Sequence, residues 1–259
     1  MIQVLDHPVP FGGGIQLPAN KAVSLAEPLL RATLPQSVTI PLRQHIGIPA
    51  RPMVKVGDRV DKGQVIAAAQ GYISAPIHAS TSGRVIDIAD YAVPSPSGSR
   101  LPCIVIEADG EDRWFEGKTR IDDYHVLSPL EVQQRVFDAG IFGLGGAGFP
   151  SAVKLTPGLN LDIELLILNA AECEPWISCD ESLLRHHVHD VITGFEILAH
   201  GLQADECVIA IEDNKTEAIA LLEQALPEHD GLEIKLKKIS SLYPAGGEKQ
   251  LIKSITGMD

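Results

Sequence analysis

Basic residues are in short supply: 21 Lys and Arg stand against 34 Asp and Glu, a formal net charge of −13 over 259 residues. That balance argues against a nucleic-acid-binding role built on basic patches and counterion release, and against a polybasic membrane anchor. Long apolar runs are missing as well. No stretch of 18 or more apolar residues occurs, so no segment reads as a membrane-spanning helix. The opening Met1–Pro10 carries Asp6, His7 and two prolines, with neither the basic start nor the apolar centre of a secretory signal. Cysteine is thin and scattered. Cys103, Cys173, Cys179 and Cys207 form no Cys-x-x-Cys pair, which excludes a zinc ribbon or the usual iron–sulfur ligand set within this chain. Reduced thiols in a soluble, cytosolic protein are the expectation.

What is present is an apolar fraction of 45%, enough for real cores, and a length that fits about two domains. Residues 1–37 are rich in Pro and Gly (Phe11-Gly12-Gly13-Gly14, Pro18, Pro28, Pro35) and read as an extended arm that wraps something. Residues 38–110 show short β candidates at Val38–Ile40, Met53–Val54, Val65–Ala67, Val85–Ile88 and Cys103–Ile106, with turn signals at Gly57-Asp58, Lys62-Gly63 and Ser82-Gly83. A charged linker, 111–124, leads into an alternating pattern. Ser128-Pro129-Leu130-Glu131 has the form of a capping box, predicting a helix to about Ala139 that stops at Gly140. Beyond it, strands are expected at Ile163–Leu168, Cys207–Ile211 and Ile234–Ile239, and helices at Leu183–Leu198, Thr216–Leu226 and Glu248–Ile255. Such alternation predicts a parallel α/β sheet with helices on both faces over 125–259.

Three loops carry candidate chemistry. Gly143-Leu144-Gly145-Gly146-Ala147-Gly148-Phe149-Pro150 contains a literal G-x-G-x-x-G. Glycines there would let backbone N–H groups approach a flat ring or a phosphate, but the stretch follows a helix rather than a strand, and a glycine-rich surface turn reads equally well. The strand ending at Leu168 runs into Asn169-Ala170-Ala171-Glu172-Cys173-Glu174-Pro175. The strand ending at Ile239 runs into Tyr243-Pro244-Ala245-Gly246-Gly247-Glu248-Lys249, a second glycine loop opening a helix. Ligands bind at strand carboxyl ends in such sheets, and three ligand-like loops at corresponding ends of one sheet arise by chance far less readily than one.

These three segments resemble the flavin-binding subunit of respiratory complex I, and more closely the C subunit of the Rnf ion-translocating ferredoxin:NAD oxidoreductase. Segment 54–66 and the later Ala75-Pro76 and Ser82-Gly83-Arg84-Val85 resemble a biotinyl/lipoyl-type barrel-sandwich hybrid. No lysine lies between Lys62 and Lys118, so the hairpin tip cannot be acylated and the domain reads as structural. The resemblance covers nearly the whole chain and implies a fold: a β-rich barrel-sandwich hybrid, then a Rossmann-like parallel α/β domain that binds FMN and NADH. It implies that Gly143, Gly145, Gly146 and Gly148 line FMN and that Lys154 meets its phosphate or ribityl chain. It further implies that Phe149 stacks on the nicotinamide nucleotide, that Asn169 and Glu172 bond flavin or ribityl groups, and that Glu174 contacts NADH. Tyr243, Gly246, Gly247 and Glu248 close the opposite side. Where the complex I pattern has an acidic residue this chain has Ala171, so one flavin contact is absent or replaced.

The implied activity is hydride exchange between NADH and FMN, within an electron-input subunit of an ion-translocating complex. Implied partners are NADH, the other Rnf subunits and a ferredoxin-like electron partner, with peripheral attachment at the cytoplasmic face of the inner membrane. Iron–sulfur clusters are expected only in a C-terminal part beyond Asp259, so the chain reads as a fragment. Two other readings stay open: a microcompartment-type cobalamin reductase, which resembles the same family, and a flavin-free scaffold. His186, His187 and His189 invite a metal reading, but without a third ligand a solvated helix face is expected, and no metal ligand is assigned. Cys173 and Cys179 are expected to be packing residues, since neighbouring carboxylates raise a thiol pKa.

Overall fold

The computed structural model describes residues 2–9, 11–27, 29–94, 98–117, 121–144, 148–156, 161–229 and 231–258. They divide into two compact units, Ala32–Leu159 and Met1–Arg31 with Asn160–Asp259. Helical elements in chain order are α1 (Ala22–Leu25), α2 (Pro129–Asp138), α3 (Ser151–Leu155), α4 (Cys179–Leu202), α5 (Thr216–Ala225) and α6 (Glu248–Thr256). The strands are β1 (Ser37–Pro41), β2 (Arg51–Pro52), β3 (Arg59–Val60), β4 (Val65–Ala68), β5 (Ile77–His78), β6 (Gly83–Ala92), β7 (Arg100–Ala108), β8 (Leu165–Ala170), β9 (Glu206–Glu212) and β10 (Ile234–Ile239). No described helix is long and apolar enough to cross a membrane.

The unit Ala32–Leu159 holds two antiparallel sheets, ordered β1-β7-β6-β3 and β2-β4-β5. Ile40, Val60, Ile66, Ile77, Val85, Ile104 and Ile106 fill one core. Each such side chain taken out of water stabilises by about 1.5–3 kcal/mol. The β2 pairing falls at Arg51–Pro52, slightly before the expected Met53-Val54, although the Met53 amide still donates to Ile66 O at 2.9 Å. Close packing of strands governs Gly83: a Cβ there would lie 2.0 Å from Glu107 O. In α2, Ser128 Oγ accepts from the Glu131 amide while Glu131 Oε2 accepts from the Ser128 amide at 2.8 Å, the reciprocal box that the residue order predicts.

The unit of Met1–Arg31 and Asn160–Asp259 is built on a parallel sheet ordered β10-β9-β8. Central β9 is buried along nearly its whole length, and its alternation feeds two cores. Cys207, Ile209 and Ile211 pack with Leu184, Ile192 and Phe195 of α4 and Leu222 of α5. Val208 and Ala210 face the other way, against Leu251 and Ile255 of α6 and Phe11 and Val4 of the N-terminal arm. A period of two on a central strand requires cover on both faces, and helices supply it. β8 runs two residues later than expected, because its pairing with β9 starts at Leu165↔Glu206. α4 starts earlier than expected, at Cys179, and kinks at His187, where φ is −140°.

The structural division does not follow the linker at 111–124. Residues 124–156 group with the antiparallel sheets, because the Ile46 amide donates to Gly148 O at 2.8 Å and Gly140 leaves only 2.5 Å between a would-be Cβ and Pro76 O. The arm groups with the parallel sheet, since the Leu5 and Val9 amides donate to Ile255 O and Ser254 O, each at 2.9 Å.

Replacing Gly83 with Ala forces β6 and β7 apart. The expected loss is about 2 kcal/mol by overpacking, read as an earlier urea transition of the barrel-sandwich unit. An unchanged midpoint would mean that the strands tolerate the added methyl.

Candidate functional site

Parallel strands deliver their carboxyl ends to one edge, so β8, β9 and β10 release three loops side by side: 171–178, 213–215 and 240–247. Asn169 ties the outer two together. Its Nδ2 donates to Gly246 O at 2.8 Å, and its Oδ1 accepts from the Ala171 amide at 3.1 Å. A Cβ on Gly246 would stand 3.0 Å from Ala171 O, a tight fit against backbone, whereas one on Gly247 would meet the movable end of Gln250, with Oε1 at 2.5 Å. Tyr243 precedes a cis peptide to Pro244 and pairs its backbone with Ile15 of the arm, with N···O distances of 2.9 and 3.0 Å. A cavity of about 420 Å³ opens along this edge, walled by Lys21, Glu172, Glu212, Asn214, Ser241 and Tyr243 among others.

Beneath the cavity lies a buried ion network. Lys215, only 1% exposed, sets its Nζ 3.2 Å from Glu172 Oε2, 3.5 Å from Glu181 Oε2 and 3.6 Å from Glu212 Oε2. Lys21 reaches in from the arm to Glu172 Oε2 at 3.5 Å. The other Glu172 oxygen, Oε1, accepts from the Asp180 amide at 2.8 Å and lies 3.5 Å from Cys179 Sγ. Glu181 also meets Arg185 at 2.6 Å. Burial pushes the Glu172 carboxyl up, but the Asp180 amide, Lys215 and Lys21 outweigh it and hold it below the ordinary glutamate value. Glu212 goes the other way: burial outweighs Lys215 and the Glu172 amide and raises it. Asp180 is raised too, by burial and by the Glu172 charge.

The structure therefore gathers Asn169, Glu172, Tyr243, Gly246 and Gly247 at one edge, with Glu174 exposed on the first loop and Glu248 exposed at the start of α6. The Glu172 carboxylate points into the ion network, saturated by protein donors. The first glycine loop belongs to the other unit. There Phe142 and Pro150 form a bridge, the Gly143 amide donates to Phe149 O at 2.8 Å, and Gly148 sits at φ +58°. Gly145 and Gly146 lie outside the described residues. Lys154 is exposed, with Nζ 5.9 Å from the centroid of the Phe149 ring.

Sequence reasoning missed Lys21, Glu181, Glu212 and Lys215. A glutamate closing the apolar run Val208–Ile211, with a lysine three residues on, was the available signal. Cys179, expected to be packed, is exposed at the start of α4. Burial, then Asp180 and Glu172, push its thiol up, while burial leads the rise at Cys173. Among the histidines, His186 Nδ1 lies 2.8 Å from Ser182 O, His187 pairs with Asp190 at 3.1 Å, and His189 stacks on His229.

Two outcomes follow from the network. Lys215→Met leaves three buried carboxylates facing an apolar chain and costs about 3–5 kcal/mol, measured by urea denaturation followed at Trp176 in a Trp114→Phe background. A loss below about 1 kcal/mol would show that the carboxylates protonate or hydrate at little cost. A carboxyl held below its ordinary value of 4.5 contributes stability above that pH and loses it as pH falls through the folded value. The stability gap between wild type and Glu172→Gln is thus full at neutral pH and narrows on acidification below about 4.5. A gap that widens with acid would reverse the assigned direction.

Comparison with known proteins bears on this arrangement. Residues 9–111 match the family model described as the RnfC barrel sandwich hybrid domain, and residues 136–259 match the Nuo51 FMN-binding domain. The chain is 47% identical, over 96% of its length, to the C subunit of the ion-translocating oxidoreductase complex of Serratia proteamaculans (strain 568), of which it covers 35%. The corresponding protein of Pseudomonas aeruginosa is 46% identical over 96% of the chain, which covers 32% of it. Among solved structures, an air-oxidised NAD+-reducing NiFe-hydrogenase is 30% identical over 50% of this chain and 24% of its own, at a TM-score of 0.46. The chain spans about a third of the length of the curated relatives it matches. With a barrel-sandwich module and an FMN-binding-type module in this order, it belongs to the family of the C subunits of ion-translocating oxidoreductase complexes.

Proposed function

We propose that this chain is the electron-input module of such a complex, exchanging hydride between NADH and FMN and passing electrons on to iron–sulfur clusters carried outside it. The match of residues 136–259 to an FMN-binding domain carries this reading. The local geometry supports it. Gly246 packs closely against Ala171 of the neighbouring loop, and Asn169 holds Gly246 in place. When bound, the flavin supplies the chemistry, taking a hydride from the nicotinamide and releasing electrons singly.

The protein's part is to bind and orient. Asn169 and the Gly246–Gly247 backbone hold the flavin, the exposed Glu174 and Glu248 offer carboxylates to hydroxyls of the nucleotide, and Tyr243 presents a ring. Gly143, Gly145, Gly146, Gly148, Phe149 and Lys154 enter from the resemblance, as close backbone, a stacking ring and a phosphate-directed ammonium. Glu172 acts from beneath, as the anchor of its loop. Attachment to the cytoplasmic face of the inner membrane comes through the other subunits of the complex, and a ferredoxin-like protein is the electron partner.

The test is reconstitution of the purified chain with FMN. Wild type quenches flavin fluorescence on binding, and anaerobic NADH bleaches the bound flavin. Gly246→Val, whose added carbons meet Ala171, weakens FMN binding by about tenfold or more while circular dichroism stays native. No quenching by wild type would sink the flavin reading.

A further inference from the structure

The N-terminal arm does more than cover one face of the parallel sheet. Ile15 pairs with Tyr243, and from Ala19 to Ser24 the hydrogen bonds of the arm concentrate on the loop of residues 172–178. Lys21 Nζ donates to Glu172 O at 2.5 Å and also to Ile177 O, so one ammonium joins the two ends of the loop. Inside that span, Trp176 holds φ at +71°, a conformation unusual for a bulky residue, and its amide donates to Ala19 O at 2.9 Å. Ser24 Oγ donates to Trp176 O at 3.1 Å and accepts from Ser178 Oγ at 2.7 Å. Lys21 itself is 8% exposed and has its charge answered by Glu172.

A buried ammonium is a costly way to gain stability, since desolvation consumes most of the Coulombic return and an apolar residue of similar size serves as well. It does confer direction: three acceptors at set distances permit one loop geometry. Glu174 lies within the clamped span, two residues from each of Glu172 and Trp176.

We propose that Lys21 is a positioning residue of the arm, which clamps the 172–178 loop so that Glu174 is presented to the pyridine nucleotide. The nucleotide site is therefore incomplete without a segment more than 140 residues upstream in the sequence. This rests on the NADH/FMN reading given above. Lys21 touches neither cofactor in this scheme. It acts through the loop backbone, which is why its loss moves the affinity for NADH rather than the turnover of bound nucleotide.

The test uses the whole chain with three substitutions: Lys21→Met, Lys21→Arg and Ser24→Ala. Hydrogen exchange is read first, without any ligand. Lys21→Met raises exchange of the 172–178 amides by about tenfold or more, as expected for loss of charge-assisted hydrogen bonds, while amides of β9 stay protected. Lys21→Arg restores most of the protection. Should Lys21→Met not fold, Ser24→Ala removes the contacts to Trp176 and Ser178, with a local bond to Lys21 O at 3.0 Å, leaves the Lys21 ammonium in place and loosens the loop to a smaller degree. In FMN-loaded protein with ferricyanide as acceptor, Lys21→Met raises KM for NADH by about tenfold and leaves kcat within about twofold. Unchanged loop exchange, or equal loosening of β9, overturns the clamp. A loosened loop with unchanged KM overturns its role in nucleotide presentation. If wild type binds no FMN, the flavin reading fails, and the exchange comparison still decides whether Lys21 holds the loop.

Discussion

One buried ammonium organises the carboxyl edge of the parallel sheet. Lys215 stands at the exit of β9 and meets carboxylates from the loop after β8, from α4 and from β9 itself, within 3.6 Å. Three carboxylates converge where water is excluded, and neither Lys215 nor Lys21 alone could neutralise them. With Arg185 on Glu181 and Lys21 on Glu172, three cations answer the three buried glutamates. Removing any one member strands a charge, so the elements that carry them are bound to a common geometry.

That geometry matters because the loops above it carry the candidate ligand contacts. Glu172 has its side chain committed downward, while Glu174 stands exposed two residues on. Asn169 then passes the constraint across the edge to Gly246. The order of dependence runs from the buried charges to the loop backbone, and from the loop backbone to the exposed polar groups. The opposed pKa directions of Glu172 and Glu212 express the same packing: one carboxyl has donors enough to overcome burial, and the other has not.

The antiparallel unit is held differently. Its core is aliphatic, and its constraints are steric, as at Gly83, where the neighbouring strand's carbonyl occupies the space of a side chain. Lacking a lysine at its hairpin, it offers no attachment point for a swinging group.

Local rules made much of this legible. Period-two runs marked the strands, the Ser128–Glu131 box marked the start of α2, and Gly246-Gly247 marked a place where backbone must come close. Family resemblance on three short motifs named the flavin-binding module, and segments 54–66, 75–76 and 82–85 named the barrel-sandwich one. What sequence could not assign was long-range electrostatics and pairing. Lys21 and Glu172 are separated by 151 positions, and nothing local to either indicates the other. The same limit hid the attachment of the glycine loop, which depends on Ile46 pairing with Gly148, and of the arm, which depends on α6 carbonyls left open to Leu5 and Val9. The sequence by itself determined the type of the longer elements and module identity, because these follow from periodicity, turn chemistry and short motifs, while the short α1, α3, β3 and β5 carry too few residues to show a period. Only the tertiary structure decided which charges are buried together, because burial is a property of the packed chain and not of any segment.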